Sequence, residues 1–289
     1  MSISSWPQHL VSTSWLSENL DNPNVVVLDS STLLPPKKDF SLYDVVPAIE
    51  DFKKGHIPGS QFIDIDGELS THHPRCHFML PTPKTFAEAM ASKGISDDTM
   101  VVAYATTSHW WATRLWWTLK VFNHENVAVL DGGFQKWAAE NREIHSGIAT
   151  EKSRGNYTPR APNLDMVADK QAVLDHLSGE NVCLINALRR EQHQGTGGVH
   201  YGRRGHIAKS VNLPALEHVN DDNTFKKLED LEDLFKDALN QEEIITYCGG
   251  GIAATSVALA LDMLGHRNVK VYDASLTEWA QDNELPMEI

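Results

Sequence analysis

Cysteine is scarce in this chain. Three occur in 289 residues, Cys76, Cys183 and Cys248. So sparse and odd a set supplies no disulfide framework and suits a reducing compartment. Positive charge is short as well: 25 Lys and Arg stand against 39 Asp and Glu, a formal net charge of −14. Nucleic-acid binders carry a basic face, so no nucleic-acid partner is expected. An anionic substrate would need a local basic patch against the overall field. Long apolar runs are missing too. The Trp-rich stretch HWWATRLWWTLKVF (His109–Phe122) is too short and too polar to span a bilayer, and no membrane partner is expected. The opening MSISSWPQHLVSTSWLSENL has neither a basic n-region nor a continuous apolar h-region. It reads as no secretory signal, which makes the cytoplasm the expected location.

What the chain does have is a copy of itself. MVVAYATTSHWWATRLWWTLKVFNHENVAVLDGGFQKW ends at Trp137, and EIITYCGGGIAATSVALALDMLGHRNVKVYDASLTEW ends at Trp279. Tyr104 pairs with Tyr247, Asp131 with Asp273 and Trp137 with Trp279, at offsets of 143, 142 and 142. Upstream, GHIPGSQFIDID (Gly55–Asp66) echoes GHIAKSVNLPAL (Gly205–Leu216). Short apolar runs alternate with amphipathic stretches in both halves: Val25–Leu28, Met100–Tyr104 and Val127–Leu130, then Val182–Ile185, Ile244–Tyr247 and Val269–Tyr272. Such alternation predicts an α/β fold, with a parallel-stranded sheet flanked by helices in each half. The stretch SGIATEKSRGNYTPRAPN (Ser146–Asn163) is polar and aperiodic and reads as a connection. It separates a domain over 1–147 from one over 163–289, with 148–162 as linker.

A duplicated chain carries its own control. Features in both halves, such as Gly55-His56 and Gly205-His206, Asp131 and Asp273, or Trp137 and Trp279, read as turns and packing. Features in one half are candidates for chemistry. The second half has Cys248-Gly-Gly-Gly-Ile-Ala253 where the first has Ala105-Thr-Thr-Ser-His-Trp110. Cys248 ends an apolar strand, where α/β sheets place their ligands. The next residues lead into a helix predicted over Ala253–Leu264, whose first amides have no internal partner. Gly249, Gly250 and Gly251 let the backbone turn those amides inward, and Ala253 keeps the rim open. The product is a cradle of N–H donors that favours a thiolate, or a terminal persulfide sulfur. A merely packed cysteine is the bland reading, but it needs no triple glycine. Cys183, inside a strand, reads as structural.

These residues resemble the two-domain rhodanese family of sulfurtransferases. The matched pieces are HIPGSQFIDID, VLDGGFQKW, YDASLTEW and the six-residue loop opened by Cys248, and the likeness starts at Leu10 and covers nearly the whole chain. The resemblance implies a tandem of rhodanese-like domains, inactive first and catalytic second, and no cofactor. It implies that Cys248 takes a sulfane sulfur from a small anionic donor and passes it from a persulfide to an acceptor. That acceptor would be cyanide, a small thiol or a thioredoxin-like protein. The loop, with Ile252 and Ala253 after the glycines, is closer to the 3-mercaptopyruvate branch than to the thiosulfate branch. The chain also departs from the family. Leu188 and Gln192 occupy the positions of two substrate-gripping arginines, and Gly250 and Ala253 stand where hydroxyl residues are usual. Arg189, Arg190, Arg203 and Arg204 could supply charge instead, or be a solvated surface. Asp64 and Asp66 could reach the cleft or hold a turn.

THHPRCHFMLP (Thr71–Pro81) gathers His72, His73, Cys76 and His77, but its spacing matches no zinc pattern, and no metal is expected. Trp110, Trp111, Trp116 and Trp117 read as core or interface packing. Two other functions compete. A cysteine phosphatase or arsenate reductase would need an arginine to clamp its oxyanion, where Ala253, Ala254 and Thr255 stand. A regulatory sulfur-binding module with weak turnover fits the missing arginines but not the retained Cys-Gly-Gly-Gly.

Overall fold

The structure is a computed structural model that describes residues 6–39, 41–149, 152–179 and 183–289. In the first half the sheet strands are β1 (Leu10–Val11), β2 (Val25–Asp29), β3 (Gln61–Phe62), β4 (Met100–Tyr104) and β5 (Val127–Leu130). In the second they are β6 (Val167–Ala168), β7 (Leu184–Asn186), β8 (Val211–Asn212), β9 (Ile244–Tyr247) and β10 (Val269–Tyr272). Each set forms one parallel five-stranded sheet, in the order β1-β5-β4-β2-β3 and β6-β10-β9-β7-β8. The two orders are the same once each strand is matched to its copy. The central strands are buried throughout, which is why they read as unbroken apolar runs rather than alternating ones. Val182, where the sequence starts β7, lies outside the described residues, as do Thr150 and Glu151 of the linker.

The repeated residues hold equivalent places. Tyr104 Oη meets Ser60 Oγ at 2.9 Å, and Tyr247 Oη meets Ser210 Oγ at 2.7 Å. Trp137 Nε1 donates to the Glu143 carbonyl and Trp279 Nε1 to that of Pro286, at 2.7 and 3.1 Å. Asp131 and Asp273 differ from the sequence reading, because they act between halves rather than within a turn. Asp131 accepts from the Phe225 amide at 2.8 Å, and Asp273 accepts from the Leu80 amide at 2.9 Å. Each half fastens a loop of the other through its copy of the same aspartate.

Helices α1 (Thr13–Asn19), α2 (Ile49–Lys54), α3 (Pro83–Ser92), α4 (His109–Val121) and α5 (Gly133–Ala139) flank the first sheet; α6 (Lys170–Ser178), α7 (Arg190–His193), α8 (Leu228–Phe235), α9 (Ala253–Met263) and α10 (Ser275–Trp279) flank the second. α3 starts where Thr82 caps the Thr85 amide and a proline takes the first helical position. The halves meet mainly through α4 and α9. α4 buries Trp111, Trp116 and Trp117, and α9 buries a run from Ala254 to Leu261 whose small residues let the backbones approach. Thr113 and Thr255, 142 positions apart and therefore copies of one another, share a hydrogen bond of 2.8 Å at the centre of this contact. The linker lies along the first half: the Gly155 amide donates to Ala91 and the Asn163 amide to Val121, at 2.8 and 2.7 Å.

Candidate active site

β9 ends at Tyr247, and Cys248 is the next residue, 2% exposed. The backbone that follows is clamped from below by the start of α10. The amides of Cys248 and Gly251 both donate to Ser275 Oγ, at 3.1 and 3.2 Å. The Gly249 carbonyl accepts from the amide and the hydroxyl of Thr277, at 2.8 and 2.6 Å. The Gly251 carbonyl accepts from Arg114 of α4 at 3.1 Å. Arg114 also donates to Asp273 Oδ1 at 2.7 Å and to the Phe78 carbonyl, and its guanidinium lies 4.7 Å from the Trp117 ring centroid. A fully buried side chain of the first half thus holds the cysteine loop of the second.

The glycines have separate reasons. Gly251 has a φ of +74°, and a Cβ there would stand 2.5 Å from the Asp273 carbonyl oxygen. At Gly249 a Cβ would stand 2.1 Å from both Cζ and Oη of Tyr201. At Gly250 it would come within 3.1 Å of Tyr43 Oη. The loop is therefore glycine-rich because tyrosines and a neighbouring backbone press on it, as well as because it turns. Gly251's amide is committed to Ser275, whereas those of Gly249, Gly250, Ile252 and Ala253 have no protein partner among the described residues.

Cys248 lies on a cavity of about 200 Å³. The second half contributes Gly249, Gly250, Ile252, Ala253, Leu188, Arg189, Gln192, Val199 and Tyr201, and the first half closes it with Leu34, Tyr43 and Trp110. Tyr43 and Tyr201 meet edge to face at 6.1 Å. Burial, with Cys248 beside them, pushes both phenols well up, so each stays a neutral hydroxyl.

Of the four residues expected to bind substrate, only Arg189 lines this cavity. Arg190 is exposed and forms a two-point pair with Glu217, at 2.9 and 2.7 Å. Arg204 is exposed over a separate hollow. Asp64 is turned into its own loop, where it accepts from the Asp66 amide at 3.0 Å. Adjacent residues on a turn point different ways, which is why RR at 189–190 divides between cavity and solvent. Arg203 is structural: it donates to the carbonyls of Trp279, Ala280, Asp282 and Leu285 and ties down the C-terminal segment. Leu188 and Gln192 do line the cavity. Among the described residues no three His, Cys, Asp or Glu side chains converge as a metal site, the His72–His77 cluster included. Cys76 and Cys183 are buried, and burial pushes both thiols up to about 11.

The sequence reading passed over Tyr43, Tyr201, Arg114, Ser275 and Thr277. For the last two the signal was available in the repeat. Ser275 and Thr277 stand where the first half has Gly133 and Gln135. Gly133 has a φ of +58°, and Ser275 keeps the same left-handed backbone at +49°. A non-glycine residue is strained there, so the hydroxyl is retained against a local cost.

The profile of the rhodanese-like domain matches twice, over residues 12–140 and 170–282. The chain belongs to the rhodanese family of two-domain sulfurtransferases. It is 32% identical to the 3-mercaptopyruvate sulfurtransferase of Escherichia coli, over 96% of this chain and 97% of the relative. It is 33% identical to the thiosulfate sulfurtransferase of Mus musculus, over 93% of this chain and 91% of the relative. Among solved structures, the 3-mercaptopyruvate enzyme SseA from Escherichia coli superposes with a TM-score of 0.82 at 30% identity, over 94% of this chain and all of that one. Tum1 from Saccharomyces cerevisiae, at 23% identity, shares the fold with a TM-score of 0.82 over 96% of this chain and 98% of that one. In this rhodanese-family chain no helix among the described residues is long and apolar enough to cross a membrane.

Proposed function

We propose that this sulfurtransferase works through a persulfide on Cys248, with a 3-mercaptopyruvate-like monoanion as preferred donor. The observation that carries the reading is the position of Cys248 on a small two-domain cavity, next to four amides without protein partners among the described residues. In the first half-reaction the Cys248 thiolate attacks the donor sulfur. The donor's C–S bond breaks, its electron pair stays on carbon as an enolate, and the enolate takes a proton to give pyruvate. With thiosulfate the S–S bond breaks instead, and sulfite leaves with the pair. In the second half-reaction a thiol or cyanide attacks the terminal sulfur and returns Cys248 as thiolate. The unpartnered amides of Gly249, Gly250, Ile252 and Ala253 would hold the charge on that terminal sulfur. Such a thiol cycle suits a reducing compartment, the cytoplasm.

Donor preference follows from charge. Among the described residues Arg189 is the single cation lining the cavity, beside Leu34, Leu188, Val199 and aromatic rings. One guanidinium matches one carboxylate; a dianion would enter half-compensated into an apolar wall. Leu188 and Gln192 also favour a second reading, a sulfur-binding protein that loads Cys248 and discharges slowly. A donor panel of 3-mercaptopyruvate and thiosulfate, with turnover followed in the parent and in Cys248→Ser, tests both. Turnover lost in the variant and faster with 3-mercaptopyruvate in the parent is expected. Equal turnover in parent and variant overturns the proposal.

A further inference from the structure

The geometry points to a second binding site, for an anionic thiol that accepts the sulfur, in the larger cavity beside that of Cys248. The inference rests on the sulfurtransferase reading above and adds where the acceptor is held and what charge it carries. This second cavity measures about 620 Å³ and lies between the loop around residues 70–77 of the first half and Thr277 and Gln281 of the second. Its size falls within the roughly 300–1,000 Å³ of small-molecule sites. The catalytic cavity, at about 200 Å³, has room for a donor of a few heavy atoms and little else.

Among the described residues Tyr43 is the one that lines both cavities. It is 9% exposed, and its hydroxyl is the nearest atom to the place a Cβ would take on Gly250, with Thr277 Oγ1 next. Tyr43 and Thr277, which both line the larger cavity, thus stand against the cysteine loop, with the Phe78 ring beside them. Because that phenol is neutral, it puts no charge in the way of an approaching anion.

The lining of the larger cavity runs against the charge of the chain. Lys37 and Arg75 face it with His72, His73 and His77, and Asp66 is the only carboxylate there among the described residues. Asp66 is already engaged by His77, at 3.2 Å. Neither Lys37 nor Arg75 pairs with a carboxylate among the described residues. In a chain of net charge −14 this is a local positive mouth next to the reacting sulfur. Such a mouth focuses anions that the overall field repels. The ligand that fits is a thiol carrying carboxylates, of about tripeptide size. Its thiolate attacks the terminal sulfur of the Cys248 persulfide. The bond between the two sulfurs breaks with its electron pair returning to Cys248, and the acceptor leaves as a persulfide.

The test compares two acceptors on protein already loaded at Cys248: glutathione, which is anionic, and 2-mercaptoethanol, which is neutral. In the double variant Lys37→Glu/Arg75→Glu, the ratio of their discharge rates, glutathione over 2-mercaptoethanol, should fall about tenfold or more. Added salt should lower that ratio in the parent and raise it in the variant, where the reversed charges repel the anion. An unchanged ratio overturns the assignment. Calorimetry with S-methylglutathione, which cannot accept sulfur, gives a separate readout on Cys248→Ala protein. Binding in that background that is lost with the charge reversals supports the site, and no binding overturns it. A parent that never loads sulfur at Cys248 would sink the persulfide reading, while the calorimetry would still decide the cavity.

Discussion

Arg114 of the first domain and Asp273 of the second form a buried ion pair, Nη1 to Oδ1 at 2.7 Å, with side chains 1% and 5% exposed. The same guanidinium reaches the Gly251 carbonyl of the cysteine loop. The first domain, which has no cysteine loop of its own, therefore holds the loop of the second through this side chain, besides closing its cavity with Leu34, Tyr43 and Trp110. Removing one partner of a buried pair strands the other charge, at a cost of about 3–5 kcal/mol. Arg114→Leu is expected to lose that much stability in urea unfolding. Arg114→Leu/Asp273→Leu should recover much of it without recovering sulfur transfer, because the loop carbonyl remains untethered.

Ser275 sets stability against function. Its hydroxyl gathers the Cys248 and Gly251 amides, yet its φ of +49° is a glycine conformation. Ser275→Gly relieves about 1 kcal/mol or more of backbone strain while it removes an acceptor shared by two amides. Thermal unfolding should show a midpoint equal to the parent or higher. The rate of Cys248 loading should fall about tenfold or more, the size of effect expected from a displaced nucleophile.

Gly249 tests the packing of the loop directly. Gly249→Ala places a methyl group 2.1 Å from the Tyr201 ring, so loop and ring cannot keep their positions. A loss of about 1–3 kcal/mol is expected from the forced shift. Gly249→Ala/Tyr201→Ala should regain part of that loss in the unfolding midpoint, since the second change vacates the space.

Buried histidines set the acid limit. Burial holds His109 down to about 4 and His218 down to about 3, from an ordinary value of 6.5. The unfolded chain binds these protons first as pH falls, so their contribution is complete above about 6.5 and is lost as pH drops towards about 4. Asp29 works the other way. Burial raises its carboxyl to about 6 from 3.8, so it destabilises the fold as pH rises through that window. With His124 and His193, which burial also holds down to about 4, four histidines outweigh one aspartate, and urea midpoints should fall from about pH 7 to about pH 5. His218→Leu should flatten the slope by about 1.4 kcal/mol per pH unit at most.

The fold was legible because the chain states it twice. Matched positions such as Tyr104 with Tyr247 and Trp137 with Trp279 set strand and helix order without any measurement. The cysteine loop was legible as the place where the copies diverge. Reading arginines was harder: Arg189 and Arg190 are neighbours in sequence, yet one lines the cavity and the other pairs with Glu217, a difference that depends on the path of a four-residue helix. Arg114 and Tyr43 were silent. Nothing local marks a residue whose partners are 137 or more positions away, as those of Arg114 to Gly251 and Asp273 are. Ser275 could have been found, because the strain it carries sits opposite a glycine in the other copy.

The most direct measurement is the intact mass of the protein after exposure to a sulfur donor, with the modified residue located by peptide mapping. The account predicts a gain of one sulfur atom, confined to Cys248, released by a thiol and missing in Cys248→Ser. Sulfur on Cys76 or Cys183 instead, or turnover with Cys248 unmodified throughout, would contradict it.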